Sequence, residues 1–366
     1  RVTLLVIFGV VIGPSGVALL PASAEDWYPF ISNLALLMVG FLLGGKLSLS
    51  KLREIGGHVL GISLFEVLGA SLLVLAGLLL VGVPLPLALI LAGVAPASAP
   101  AAVSNVVDEM GARGKYTDTL LGIVAIDDAW GLIVFSLLVA VAQTLVVGGE
   151  GTPMDALLHG GKDLGGALLL GLAVGIPAAY LTGRLCPGQP TQAEALGVVM
   201  VAGGLAMWLE VSFLLTALVV GATVVNFASH HERPFSEIEH IEWPFMILFF
   251  LLAGASLHVA ELAHIGIAGL AYIAFRVVGL VAGAYIGGRV TGAEPRIRRW
   301  MGAAIMPQAG VALGMALVAG NTFPALKETI LPLVVGSTVV FELLGPVLTR
   351  MALIRSGETA AGRGEA

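Results

Sequence analysis

The chain has 366 residues, 58% of them apolar and 11% charged, with a mean hydropathy of +0.99. Soluble domains run at roughly 45–50% apolar and about 25% charged, so this composition excludes a folded body solvated by water alone and points to lipid as the solvent. The net charge of −6 sums two membrane faces that never mix, and the single cysteine, Cys186, excludes an internal disulfide or a cysteine zinc cluster.

A membrane-crossing helix needs about 20 mostly apolar residues. Apolar runs separated by charged gaps predict about twelve spans: Val2–Leu20, Phe30–Gly45, Ile55–Val83, Leu85–Val103, Thr119–Val147, Leu164–Thr182, Ala193–Leu209, Val211–Ala228, Ile241–Leu257, Ile265–Gly288, Trp300–Val318 and Ile330–Leu348. The seventh and eighth form one apolar stretch too long for a single crossing, broken at Glu210, and read as a tight hairpin. No secretory signal is evident; the chain opens at Arg1 and runs straight into an apolar segment, so its start reads as internal.

Lysine and arginine collect in cytoplasmic loops. Alternate loops carry Lys46, Lys51 and Arg53; Arg113 and Lys115; Arg184; Arg233; Arg289, Arg296, Arg298 and Arg299; then Arg350, Arg355 and Arg363, whereas the intervening loops carry only Lys162 and Lys327. Both ends of the chain are therefore expected on the cytoplasmic side, with 349–366 as a short tail. Gly160-Gly161-Lys162 lacks the preceding glycine and following hydroxyl of a nucleotide-binding loop. Energy is expected from an ion gradient, with no nucleotide, nucleic acid or resident cofactor.

Two spans are interrupted. The fourth holds Ala95-Pro96-Ala97-Ser98-Ala99-Pro100 and the eleventh Met306-Pro307-Gln308-Ala309-Gly310. Proline removes a helical donor and clashes with a carbonyl one turn back. The two breaks lie seven spans apart, so they run in opposite directions, and each precedes a span with buried acid. Interrupted helices at corresponding places of inverted halves mark a transporter's midplane site, with opened helix ends suited to ions. An offset of seven pairs the second to fifth spans with the ninth to twelfth and the first with the eighth. The seventh is left without a mate, which implies one further helix before Arg1 and thirteen spans.

Ionisable groups at bilayer depth are costly, about 3 kcal/mol on the mildest scale, and five lie within spans: Glu66, Asp127, Asp128, Arg276 and Glu342. Asp127 and Asp128 sit mid-span in Leu121-Gly-Ile-Val-Ala-Ile-Asp-Asp-Ala-Trp-Gly-Leu-Ile133. Adjacent helical residues point about 100° apart, so one carboxyl can face a cavity while the other meets a partner. A buried carboxyl that holds either a proton or a small cation is itself an exchange device. Arg276, always protonated, is read as the charge partner of Asp127 or Glu66, either as a structural tie or as a tuner of transport. Ser98 and Gln308 can supply oxygens at the breaks or satisfy opened backbone there. Glu66 and Glu342 are secondary candidates with a plain structural reading, and His230, His231 and His240, with Glu232, Glu237 and Glu239, read as a solvated loop or a pH sensor.

From Gly9-Val-Val-Ile-Gly-Pro-Ser-Gly16 through Ile126-Asp-Asp-Ala-Trp-Gly131 to Met306-Pro-Gln-Ala-Gly310, the chain resembles the monovalent cation/proton antiporter superfamily, specifically its sodium/proton exchanger membrane domain. The resemblance implies an all-α polytopic inverted-repeat fold with two crossed interrupted helices. It also implies core repeats over 55–147 and 265–348, panel and dimerisation helices over 1–45 and 193–257, and a linker helix over 164–182. It further implies a homodimer in a prokaryotic inner membrane, with Asp128 carrying the ion or proton and Asp127 paired to a basic residue. Gly279 is followed by Leu280, where many electrogenic relatives have lysine, and Pro307-Gln308-Ala309-Gly310 stands where some have Pro-Arg-Gly-Glu. The expected activity is exchange of Na⁺, K⁺ or Li⁺ for protons by a protein that is no enzyme. The alternative is sodium-coupled symport of a small organic solute, which the sparse polar inventory of the breaks disfavours.

Overall fold

A computed structural model describes residues 2–13, 16–17, 19, 23–147, 153–182, 191–228, 232–255, 266–308 and 310–359. Among these the secondary structure is entirely helical. In chain order the helices are α1 (Val2–Ile12), α2 (Ser23–Gly45), α3 (Leu49–Ile55), α4 (Gly57–Leu80), α5 (Leu85–Val94), α6 (Pro100–Glu109), α7 (Lys115–Val147) and α8 (Pro153–Thr182). They continue as α9 (Thr191–Trp208), α10 (Phe213–Phe227), α11 (Glu232–Ala255), α12 (Gly266–Val290), α13 (Pro295–Ala304), α14 (Gly310–Thr322) and α15 (Lys327–Ser356), with a 3₁₀ turn at Pro324–Leu326.

Among the described residues, five helical stretches are long and apolar enough to cross a membrane: Gly57–Leu80, Lys115–Val146, Gly161–Leu181, Gly266–Val290 and Pro324–Ser356. Shorter apolar helices include Phe30–Gly45, Leu85–Val94, Gln192–Trp208, Phe213–Phe227 and Gly310–Thr322. The segments read as the fourth and eleventh spans are each two half-helices. α5 stops at Val94 and α6 restarts with Pro100 in its first turn, while α13 stops at Ala304 and α14 restarts at Gly310. Proline suits a restart because the first helical donor has no partner anyway. The hairpin between α9 and α10 turns at Glu210, whose φ is +55°, and Ser212 caps α10 by accepting from the Leu215 amide.

Three expectations need correction. α1 ends at Ile12 instead of reaching Leu20, because Gly13-Pro14 disfavours helix there. α15 runs on through Ser356, so much of the segment expected as a tail from 349 is helix, closed by Gly357 at φ +77°. The supposed loop of histidines and glutamates is helical from Glu232, and His240 bonds the Ser236 carbonyl in its own helix; His230 and His231 lie outside the described residues.

The chain divides into two compact units. One comprises residues 1–51 and 132–257. Its core joins Leu34, Leu37, Met38 and Phe41 of α2 to Val220 and Val224 of α10 and Ile238 of α11, and Phe41 stacks on Phe235 at 4.7 Å. The other comprises residues 52–131 and 258–366 and contains both interruptions and both aspartates. Within it α4 and α12 meet along a seam of glycines. A Cβ on Gly279 would lie 2.7 Å from the Ala70 Cα and the Gly69 oxygen, and one on Gly283 2.7 Å from the Glu66 Cα. Only glycine lets the two backbones approach this closely, as at small-residue interfaces of membrane helices.

Candidate functional site

The second unit concentrates the buried charge. Among the described residues the fully buried acids and bases are Glu66, Asp127, Asp128 and Arg276, at 0%, 0%, 2% and 0% exposure. Glu66 comes from α4, the aspartates from α7 and Arg276 from α12. Glu342 follows Phe341 on α15, is half-buried, and stays outside this set.

Asp128 meets the first interruption. The backbone N–H of Ser98 donates to its Oδ1 at 3.2 Å. Ser98 lies just ahead of α6, where no preceding helical carbonyl claims that donor, and the positive end of a helix dipole favours an anion. Gly131, one turn on from Asp128, faces the same break: a Cβ on it would meet Pro96 at 3.7 Å and the Ala97 amide at 3.9 Å, ordinary packing distances. Asp127 turns elsewhere and accepts from the Ser63 hydroxyl of α4 at 2.5 Å. The divergence of adjacent helical positions thus gives the two carboxyls different neighbours.

Of the two acids expected to partner Arg276, Asp127 forms no ion pair with it, whereas Glu66 interacts with it electrostatically. Arg276 donates to three backbone carbonyls: Ala95 at 2.8 Å through Nε, Ala97 at 2.9 Å through Nη2 and Met306 at 3.0 Å through Nη1. Ala95 and Met306 lie at the C-terminal ends of α5 and α13, where helix carbonyls lack amide partners and a cation is favoured. One guanidinium therefore closes the negative ends of both first half-helices, with the Phe341 ring 4.1 Å from its Cζ. Glu66 interacts electrostatically with Arg276 and with both aspartates.

Among the described residues the Ser98 hydroxyl and Oε1 of Gln308 have no hydrogen-bond partner. The Glu66 and Asp127 carboxyls lie within hydrogen-bonding reach of one another, with no other donor on the outer Asp127 oxygen or on Glu66. The Gln308 amide reaches toward the Val94 carbonyl and the Tyr272 hydroxyl, both at 3.5 Å, long for firm bonds. A buried polar atom without a partner calls for an explanation such as a bound ion or water, and bare carboxyl, hydroxyl and amide oxygens are the donor set a hard cation takes. The structure thus brings together Asp127, Asp128, Glu66, Arg276, Ser98 and Gln308, and adds Ser63, Tyr272 and Phe341. Ser63 carried a faint sequence signal, three residues before Glu66 on one helical face. The carbonyls that Arg276 holds carried none.

The family described as sodium/hydrogen exchanger, transmembrane, matches residues 1–354. Among solved structures, that of the sodium proton antiporter MjNhaP1 from Methanocaldococcus jannaschii at pH 8 is similar, with a TM-score of 0.76 and 17% identity over 96% of this chain and 92% of that one. An electron-microscopy structure of the same antiporter gives a TM-score of 0.67 at 16% identity, over 96% and 90% of the two chains. At such identities the likeness is one of fold. No curated protein matches the chain.

Proposed function

The chain belongs to the sodium/hydrogen exchanger family, and from that premise we propose that it is a secondary antiporter exchanging a monovalent cation for protons at Asp127–Asp128 by alternating access. The observation that carries this reading is the placement of Asp128: a fully buried carboxylate held by the Ser98 amide at an interrupted helix, beside oxygens that have no donor. Such a carboxylate holds a proton or a bare cation, and the two compete for it.

Na⁺ is the favoured cation on the family's name and on that of the MjNhaP1 antiporter; K⁺ and Li⁺ bind the same oxygens. Arg276 keeps its charge throughout and Leu280 occupies the place of a titratable lysine, so Asp128 is taken as the sole carrier. One proton then exchanges for one cation and no net charge moves. Asp127, bonded to Ser63, shapes the site without shuttling. The inverted-repeat arrangement, about twelve spans, a homodimer in a prokaryotic inner membrane and a cytoplasmic C-terminus belong to the same proposal.

Asp128→Asn tests it. The amide takes neither a proton nor a cation, so proteoliposomes carrying this variant lose cation-induced recovery of an imposed pH gradient while the protein still folds and purifies. Recovery at the wild-type rate would end the assignment. A sustained current on a solid-supported membrane, growing with the cation gradient at symmetric pH, would end the electroneutral stoichiometry alone.

A further inference from the structure

We infer that Glu358, just beyond α15, is a positioning residue of the exchanger: it fastens the start of α7, the helix that carries Asp127 and Asp128, to the end of α15. The inference rests on the antiport reading above and concerns residues well removed from the ion site.

The contacts are specific. Oε1 of Glu358 accepts from the Tyr116 amide at 2.8 Å, and Oε2 accepts from the Thr117 amide and the Thr117 hydroxyl, both at 2.9 Å. The Glu358 carbonyl accepts from the Arg113 amide at 3.1 Å. Both carboxylate oxygens are thus used, on donors at a helix N-terminus that would otherwise lack partners. They come from a residue 242 and 241 positions away in the chain, whereas helix caps are ordinarily local.

Glycines on both sides make room. Gly114 has φ +141°, and a Cβ on it would sit 2.5–2.7 Å from the Glu358 carboxyl atoms. Gly357 has φ +77° and turns the chain back, so that Ser356 and Thr359 are buried at 2% and 4% exposure. Arg296 of α13 donates to the Ser356 carbonyl at 3.4 Å. Lys115 bonds Glu294, just ahead of α13, at 2.7 Å, which holds that carboxyl below the usual carboxylate range, although so exposed a pair adds little stability. The start of α7 is therefore tied both to the residue ahead of α13 and to the end of α15.

Asp127 lies ten residues beyond Thr117, about 15 Å along a helix rising 1.5 Å per residue. An unbroken helix moves as a rod, so an anchor at its end sets where the carboxyl pair stands. Loosening the anchor spreads the pair over more positions and weakens cation capture, while the turnover of loaded protein is kept.

The test uses the full chain in proteoliposomes, with Glu358→Ala, Glu358→Gln and Thr117→Val. Glu358→Ala is expected to raise the half-saturating cation concentration on the order of fivefold, the equivalent of one helix cap worth about 1 kcal/mol, with maximal rate per folded protein unchanged. Glu358→Gln, which keeps one acceptor oxygen, and Thr117→Val, which removes one donor, fall between Ala and wild type. Amide exchange at residues 115–118 rises in the same order. If Glu358→Ala does not fold, the two milder variants carry the same graded expectation. Cation half-saturation equal to wild type in every folded variant would reduce Glu358 to a structural cap and overturn the inference, as would unchanged amide protection. Failure of the antiport reading shows separately, as absence of exchange in the wild type or its persistence in Asp128→Asn.

Discussion

Replacing Arg276 by leucine removes the guanidinium while keeping an apolar stem, and leaves the carbonyls of Ala95, Ala97 and Met306 without their donors. A buried acceptor stranded in this way costs about 1–3 kcal/mol, so three give roughly 3–9 kcal/mol, and water entering the break recovers part. A net loss near 5 kcal/mol is expected, which for a chain of this size lowers the melting temperature by roughly 5–10 °C. Lysine keeps the charge, but a single nitrogen cannot span acceptors from two interruptions, so Arg276→Lys regains only about a third of the loss. The assay is thermal unfolding of the purified protein in detergent, followed by tryptophan fluorescence, with exchange measured in proteoliposomes well below the transition. An Arg276→Leu protein that melts with the wild type would refute the view that this side chain holds the two breaks together, as would full rescue by lysine.

Two further outcomes follow from the same geometry. Asp127→Asn strands no cation, because Arg276 finds its partners in the backbone, and the amide oxygen still accepts from Ser63; its melting temperature stays at or slightly above that of wild type while exchange is impaired. A drop as large as that of Arg276→Leu would mean that the two side chains are paired after all. Gly279→Ala drives a methyl to 2.7 Å from the Ala70 Cα and the Gly69 oxygen, backbone atoms that cannot swing aside. A destabilisation of about 2 kcal/mol or more is expected, read as an earlier unfolding transition, and a neutral result would show that α4 and α12 can part freely.

Hydropathy made the helices legible, since the unbroken apolar runs around Glu66, Asp127 and Arg276 became α4, α7 and α12 nearly as bounded from sequence. The interruptions were legible because Pro96, Pro100 and Pro307 carry their consequence in the residue itself. The partner of Arg276 was not. Pairing by opposite charge pointed to Asp127 or Glu66, and Glu66 does interact electrostatically with Arg276. The hydrogen bonds of Arg276, however, go to backbone carbonyls, which every residue possesses and which matter here only because the helices stop at Val94 and Ala304. Glu358 was equally silent, an acid in what read as a tail, until Gly357 turned it toward α7. Composition and periodicity report on whether a side chain suits lipid or core. They carry no record of which distant backbone atoms a break leaves open.

The carbonyls of Ala95 and Ala97 wait for a side chain 181 and 179 residues downstream. At ordinary rates of synthesis, about 5–20 residues per second, that interval is on the order of ten to forty seconds. By then the ribosome has delivered the opened helix and its bare carbonyls, with the guanidinium that closes them still unmade. The nascent first half must therefore shelter bare carbonyls and acids in lipid by borrowed means, through trapped water or the insertion machinery itself. The break is therefore complete only once α12 has been made, so a chain ending before Arg276 holds the first interruption without the side chain that closes it.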